Sequence, residues 1–227
     1  MNTHRRPRVL SLLALSLALG GCVSATIEEV RTAPALLEAP QEGSIVILGR
    51  RHNNGYETES NFVDCLGKNL RSSAVLPEQV FIDALYPWFE PRTAPLGTAD
   101  LPTLLANEAI SRRIDSLGVR YMIWVDGTTN TTDQAGSMTC TISPGGGGCF
   151  GFVTWARDAS YEATVWDLKT QKTLGRISSD ANGTSYMPAM VVPVPIIARV
   201  QAQACSGLAD QLETFLSGPA AATENAG

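Results

Sequence analysis

The sequence predicts an α/β fold: one domain on a mixed sheet of about five strands, in the order β-α-β-α-β-β-β-α. Three observations carry this. Residues 44–48 (SIVIL) are a continuous, β-branched apolar run of strand length, followed after a polar loop by apolar residues at helical spacing. A second helical pattern ends at Gly118 and leads into residues 119–126 (VRYMIWVD), the strongest strand signal in the chain. Residues 150–169 and 173–180 flank the polar turn KTQK and read as a hairpin. Strands separated by helices imply parallel neighbours with helices packed on the sheet, and the late hairpin adds antiparallel strands.

After the first strand, residues 49–59 (GRRHNNGYETE) form a polar loop, and Thr58 or Ser60 is placed to cap the helix that follows. In that helix Phe62, Leu66 and Leu70 recur every four residues and share a face, with Cys65 one position off it. Residues 79–85 (QVFIDAL) alternate and are predicted as the second strand. Residues 86–95 (YPWFEPRTAP) hold three prolines and are predicted irregular. Thr98 or Asp100 then caps a helix reaching Leu117, with Leu101, Leu104, Leu105, Ile110, Ile114 and Leu117 as its apolar positions. Pro102 is tolerated in the first turn, where its missing N–H has no intrahelical partner to lose, and Gly118 suits the left-handed C-cap. Residues 128–148 are rich in Thr and Gly and are predicted as a loop. Along the long strand that follows, Val153, Trp155, Arg157, Ala159, Tyr161, Ala163 and Val165 fall on one face. Residues 185–195 read as a proline-punctuated connection. Residues 196–216 form the last helix, with Val200, Ala204, Leu208, Leu212 and Phe215 on its apolar side.

The N-terminus has a different character. Arg5, Arg6 and Arg8 precede an apolar stretch over residues 9–19, too short to cross about 30 Å of hydrocarbon, which needs roughly 20 apolar residues. Leu19, Gly20 and Gly21 then lead to Cys22. This resembles the lipobox of bacterial lipoproteins, Leu-small-small-Cys. The resemblance implies a signal peptide over residues 1–21, cleavage before Cys22, and acylation of Cys22 by diacylglycerol and an amide-linked chain of the palmitate class. Several acyl chains hold a membrane firmly where one holds it marginally. Val23, in place of an Asp, implies an outer-membrane anchor with the domain facing the periplasm. An ordinary signal peptide with a chance cysteine is the alternative. Residues 22–43 are expected to be a lipidated tether, 44–217 the single domain, and 218–227 a disordered tail.

Composition narrows the partners. The 227-residue chain has a formal net charge of −5, and loss of residues 1–21, which carry three arginines and no acid, lowers it to −8. An acidic chain without a basic face argues against nucleic acid as a partner and against electrostatic attraction to anionic lipid. The membrane partner is therefore expected through the N-terminal lipid.

With Cys22 set aside for lipid, Cys65, Cys140, Cys149 and Cys205 remain, an even four in an oxidising compartment. Three pairings are possible. Cys140 and Cys149 flank SPGGGG, which can fold back on itself, and Cys65 and Cys205 each fall in a predicted helix. The expected disulfide bonds are thus Cys140–Cys149 and Cys65–Cys205. The second closes a long loop, worth roughly 4–5 kcal/mol in the chain-entropy account. No CxxC pair is present, and beyond the signal the sole histidine is His52, so no zinc site and no other metal or cofactor is expected.

Two clusters are candidates for chemistry. Arg51, His52, Glu57 and Glu59 lie in the loop after the first strand, the carboxyl-end position where α/β sheets bind ligands. They can be read as a general base or small-ligand site, or as a solvated loop of Arg–Glu pairs. Tyr86, Trp88, Phe89 and Arg92 make an aromatic-basic loop, read either as a partner-binding hot spot or as aromatics folded onto the domain. SPGGGGCFGF is not a phosphate loop, because no Lys-Ser/Thr follows its last glycine at a helix start. There is no Gly-x-Ser-x-Gly and no recognisable partner for His52 as part of a catalytic pair, so an enzymatic reading has no support.

Several stretches are familiar as a group: GRRHNNGYETESNFVDC, ALYPWFEPRTAP, YMIWVDG, GGGGCFGF, YEATVWDLK, GTSYMP and PIIARVQAQAC. Together they resemble an uncharacterised family of bacterial lipoproteins of Gram-negative type, which implies fold and localisation but no activity. The element order is also similar to periplasmic lipoprotein domains of the curli-export and penicillin-binding-protein-activator types. In curli-type exporters a segment near residues 128–149 builds a membrane hairpin; here that segment shows no alternating apolar run, which argues against a pore. The expectation is a non-enzymatic envelope lipoprotein that binds an envelope protein or associates with itself. A small-ligand or metal-dependent site in the loop 50–59, or a purely structural envelope role, are the alternatives.

Overall fold

The computed structural model describes residues 23–31, 45–51, 57–71, 75–90 and 92–217. The signal segment, Cys22, His52 and the tail over residues 218–227 lie outside the described residues. The fold is mixed α/β. In chain order the elements are β1 (Val23–Arg31), β2 (Ile45–Gly49), α1 (Ser60–Asn69), β3 (Val75–Leu76), α2 (Glu78–Ala84), a 3-10 turn (Thr98–Asp100), α3 (Leu101–Leu105), α4 (Glu108–Leu117), β4 (Tyr121–Ser143), β5 (Gly146–Asp167), β6 (Lys172–Val191) and α5 (Val200–Ser217). The six strands form one sheet in the order β1-β6-β5-β4-β2-β3, where about five were expected.

The chain divides into two compact units. One comprises Ala25–Thr129, Ala159–Ala181 and Gln201–Gly227, the other Met1–Ser24, Asn130–Asp158 and Asn182–Val200. The first, the α/β unit, holds all the helices among the described residues except the first residue of α5. β2 is buried along its whole length and pairs in parallel with both neighbours, Ile45 opposite Val75 and Tyr121, and Gly49 opposite Val125. A strand buried on both faces reads as an unbroken apolar run, which is why SIVIL does not alternate. Its side chains divide between two layers. Val46 and Leu48 join Phe81, Leu85, Leu101, Ile110, Ile114, Met122 and Trp166 in a core under α2, α3 and α4. On the other face Ile47 and Val63 of α1 line one cavity, and the Cys65–Cys205 disulfide ties α1 to α5. Phe62, Leu66, Leu70, Ala204, Leu208 and Leu212 are all buried, as their helical spacing predicts.

Several expectations are corrected. Residues 79–85 are not a strand: they lie in α2 and its C-cap, and the strand is the two-residue β3 before it. Pro77 occupies the N-cap, and Phe81, Ile82 and Leu85 are buried while Gln79, Val80 and Asp83 are exposed, the spacing of a helix face. The helix expected over 98–117 is broken at Ala106–Asn107, and Asn107 starts α4 by accepting a hydrogen bond from Ala109 N at 3.0 Å. Gly118 is the left-handed C-cap (φ 72°). Residues 23–31, expected within the tether, form β1 beside β6. The helix α1 is capped neither by Thr58 nor by Ser60; its N-cap is Glu59, whose side chain is used elsewhere.

The largest correction concerns the second unit, whose described residues are mostly strand. Residues 128–143, expected as a loop, continue β4, and β6 runs on through Ser185 to Val191 despite Pro188. β4 and β5 meet at the turn Pro144–Gly145, and Cys140–Cys149 bridges the strands beside it with Cα atoms 4.0 Å apart. Residues 193–196 then fold back on β6: Tyr186 and Ile196 exchange backbone hydrogen bonds at 2.8 and 2.7 Å, and Val194 N donates to Pro188 O at 3.0 Å. β-Branched threonines suit these strands, but with both faces exposed they leave no apolar alternation to read.

Candidate functional site

Within the α/β unit, the carboxyl end of β2 faces the start of α1, the middle of β4 and the start of α5. Backbone bonds fix the loop at both ends: Arg50 N donates to Val125 O (2.9 Å) and Thr58 N to Arg50 O (3.0 Å). The Thr58 hydroxyl, buried, also donates to Val125 O at 3.0 Å. It therefore stitches the loop to β4 rather than capping the helix. Arg50 Nη1 pairs with Asp126 Oδ2 at 2.9 Å, the two side chains being partly exposed.

Glu59 is the hub. Its Oε1 accepts from Thr129 N at 2.8 Å and from the Thr128 hydroxyl at 3.4 Å, and its Oε2 accepts from the Tyr161 hydroxyl at 2.9 Å. The Tyr161 oxygen also contacts Thr129 Oγ1 at 2.7 Å and accepts from Gln201 Nε2 at 3.2 Å. Gln201 Oε1 in turn accepts from Asn61 Nδ2 at 3.0 Å. The Tyr161 ring lies flat on Phe62, centroids 3.4 Å apart. One carboxylate thus joins α1, β4, β5 and α5. Burial, with the Glu59 carboxylate adjoining, pushes the Tyr161 hydroxyl up to about 12.

The three described loop residues, Arg51, Glu57 and Glu59, separate. Glu59 is in this network. Glu57 is exposed, and the charge of Arg51 acts on Glu78. Glu78, on α2, accepts from Gly49 N at 3.0 Å, and burial raises its carboxyl above the usual range, with Gly49 and Arg51 opposing. It lines a cavity of about 210 Å³ with Asp64, Lys68 and Val75. Among the described residues no three His, Cys, Asp or Glu side chains are placed to hold a metal ion. The partners of Glu59 were not legible as a set: Tyr161 reads as a core position and Gln201 as a helix surface, and nothing local links them.

The aromatic loop divides too. Phe89 is buried, edge-on to Phe81 at 5.4 Å. Trp88 packs half-buried on the same core. Tyr86 is 68% exposed and Arg92 is exposed. Trp88 forms one wall of a cavity of about 430 Å³, closed by Pro95, Leu96, Thr103, Leu104 and Ile110. Asp100 helps shape its rim, accepting from Leu96 N at 3.0 Å.

No helix among the described residues is long and apolar enough to cross a membrane. No family model matches the sequence, and no curated protein matches it. Among solved structures, the chain is similar to a dodecamer of PelC from Paraburkholderia phytofirmans carrying a leucine-to-methionine substitution. That match has 12% identity and a TM-score of 0.38, over 84% of this chain and 96% of that one. A second PelC dodecamer from the same organism matches at 11% identity and a TM-score of 0.37, over 85% and 97%.

Proposed function

We propose that this chain is an envelope lipoprotein, held at the outer membrane by lipid on Cys22 and facing the periplasm, that binds a protein partner or assembles with itself rather than catalysing a reaction. It belongs, on this reading, with the bacterial lipoproteins its motifs resemble. The observation that carries the docking role is Trp88 at the wall of the 430 Å³ cavity, with the exposed Tyr86 two residues before it in the chain. Aromatic side chains at a concave, partly apolar site are the usual anchors of a protein interface. The Glu59 network supports the same view from the other direction. Its donors and acceptors are engaged with one another, an arrangement that holds elements together rather than presenting a reactive group.

The test is crosslinking in intact cells from a photoreactive residue placed at Leu96, with identification of whatever is captured. Tyr86→Ala is expected to abolish the captured adduct without lowering the melting temperature, because Tyr86 is exposed. An unchanged adduct in Tyr86→Ala and Trp88→Ala alike would remove this loop from the proposal. The anchor is tested separately, by palmitate incorporation that Cys22→Ser must abolish.

A further inference from the structure

The strand segments Asn130–Asp158 and Asn182–Val200 of the second unit are uncharged over most of their length. Residues 134–156 and 182–198 contain no Asp, Glu, Lys, Arg or His, in a chain where charged residues make up 17%. The charges that flank these stretches are Asp133, Arg157, Asp158 and Arg199. Yet this is where large apolar side chains are exposed. Phe150 is 66% exposed, Met190 80% and Val192 68%, with Phe152, Tyr186 and Val194 also in water.

These six share one face. Phe150 and Phe152 alternate along β5, and the Phe152 ring sits 6.1 Å from Tyr186 on the neighbouring β6. Met190 has the parity of Tyr186 on β6. The return segment pairs antiparallel, with Tyr186 opposite Ile196 and Ala189 opposite Pro193, which sets Val194 opposite Pro188 and makes Met190, Val191 and Val192 the turn between them. Residues directly opposite in an antiparallel pair project to the same side. An exposed apolar face of this size marks a contact surface.

What covers it is indicated by the start of the chain. The Ser24 hydroxyl donates to Asn182 Oδ1 at 2.8 Å, and Ile27 and Ser179 both lie against Gly207. Numbers fall on β6 as they rise on β1, so the two strands are antiparallel, and the Val23 end of β1 points along β6 toward Tyr186. Cys22 is one peptide from Val23, about 3.8 Å between Cα atoms. A lipid on Cys22 would therefore enter the bilayer beside this face.

We propose that the face of Phe150, Phe152, Tyr186, Met190, Val192 and Val194 lies on the surface of the lipid bilayer, as a second membrane contact beside the acyl chains. The proposal rests on the anchor reading above for the identity of its partner. The absence of charge favours a lipid surface over a protein, whose interface core is ringed by polar and charged groups. Aromatic rings suit the headgroup boundary. The contact is at the surface and not across it. Pairing of β4 with β2 stops at Val125, so beyond it the outer edge of β4 meets no strand among the described residues. A bare strand edge is not stable in hydrocarbon.

The experiment uses the mature chain carrying Cys22→Ser, secreted behind a cleavable signal so that no lipid is attached, and flotation with phosphatidylcholine–phosphatidylethanolamine vesicles. The unlipidated protein is expected to float with the vesicles, at low and high salt alike. Phe150→Ser with Met190→Ser and Val192→Ser is expected to lower the bound fraction at least about tenfold. Met190→Ser alone, at the most exposed position of the face, should weaken binding with an unchanged melting temperature. Unlipidated protein that stays with the vesicle-free fraction overturns the proposal, as does binding indifferent to these substitutions. An oligomer in vesicle-free solution that the triple variant dissociates would assign the face to a second copy, and also overturns it. Failure of palmitate labelling, with vesicle binding intact, would count against the anchor and not against this face.

Discussion

The Tyr161 hydroxyl donates to Glu59 Oε2 at 2.9 Å across 102 residues of sequence, and through that bond β5 is fastened to the first turn of α1. The stacked Phe62 ring beside it makes the fastening half apolar and half polar.

Tyr161→Phe separates the two halves, keeping the ring and removing the hydroxyl. It leaves Glu59 without one donor and Gln201 without the nearer of its two acceptors, and is expected to cost about 1–2 kcal/mol. It should also change the alkaline behaviour. The folded hydroxyl titrates at about 12, above its ordinary value of 10.0. The unfolded chain therefore loses this proton first. The contribution of Tyr161 is complete below pH 10 and is lost as pH rises toward 12. Urea unfolding of the native protein should weaken over that window, and Tyr161→Phe should remove this part of the loss. A variant whose pH dependence matches the native protein refutes the assignment.

The two disulfides are expected to contribute unequally. Cys65–Cys205 closes a separation of 140 residues and Cys140–Cys149 one of 9. In the chain-entropy account these are worth roughly 5 and roughly 2–3 kcal/mol. Replacing Cys65 and Cys205 together by Ala should lower the urea midpoint more than replacing Cys140 and Cys149. The reverse order would mean that the short bridge holds structure the unfolded-chain argument does not capture.

Gly127 has φ 145°, where side chains other than glycine's are strained, and its Cβ position would fall 2.6 Å from Tyr161 Cα and against Ser160 O. Gly127→Ala must push β4 and β5 apart immediately beside the Glu59–Tyr161 bond. A cost on the order of 3 kcal/mol is expected. Alkaline sensitivity should fall with it, since the hydroxyl becomes wetter. Calorimetry and a spectroscopic tyrosine titration check both.

Asn107→Ala removes the side-chain cap of α4. The expected loss is about 1 kcal/mol, read as a lower melting temperature. Asn107→Asp, which keeps an acceptor at the same place, should restore it.

Sequence legibility followed the range of the forces involved. The buried run at residues 45–48, the faces of α1, α4 and α5, the Gly118 cap and the two cysteine pairs were legible, because burial and capping leave their mark within one or two turns of chain. Residues 78–84 misled, because seven residues are too few to separate a period of 2 from one of 3.6. In the candidate loop Glu59 enters a hydrogen-bonded network, and Glu59 itself gives no sign of which hydroxyl it will meet.

The amino-acid sequence by itself determined the mixed α/β class and the disulfide partners, since each depends on local composition or on counting. The tertiary structure alone decided three further things. Residues 128–143 are strand because a neighbouring chain segment supplies their backbone partners, not because they bury a face. Residues 23–31 pair with β6, across more than 140 positions, for the same reason. And Glu59, Thr129, Tyr161 and Gln201 meet only because four separate elements converge, so no stretch of sequence contains the site they make.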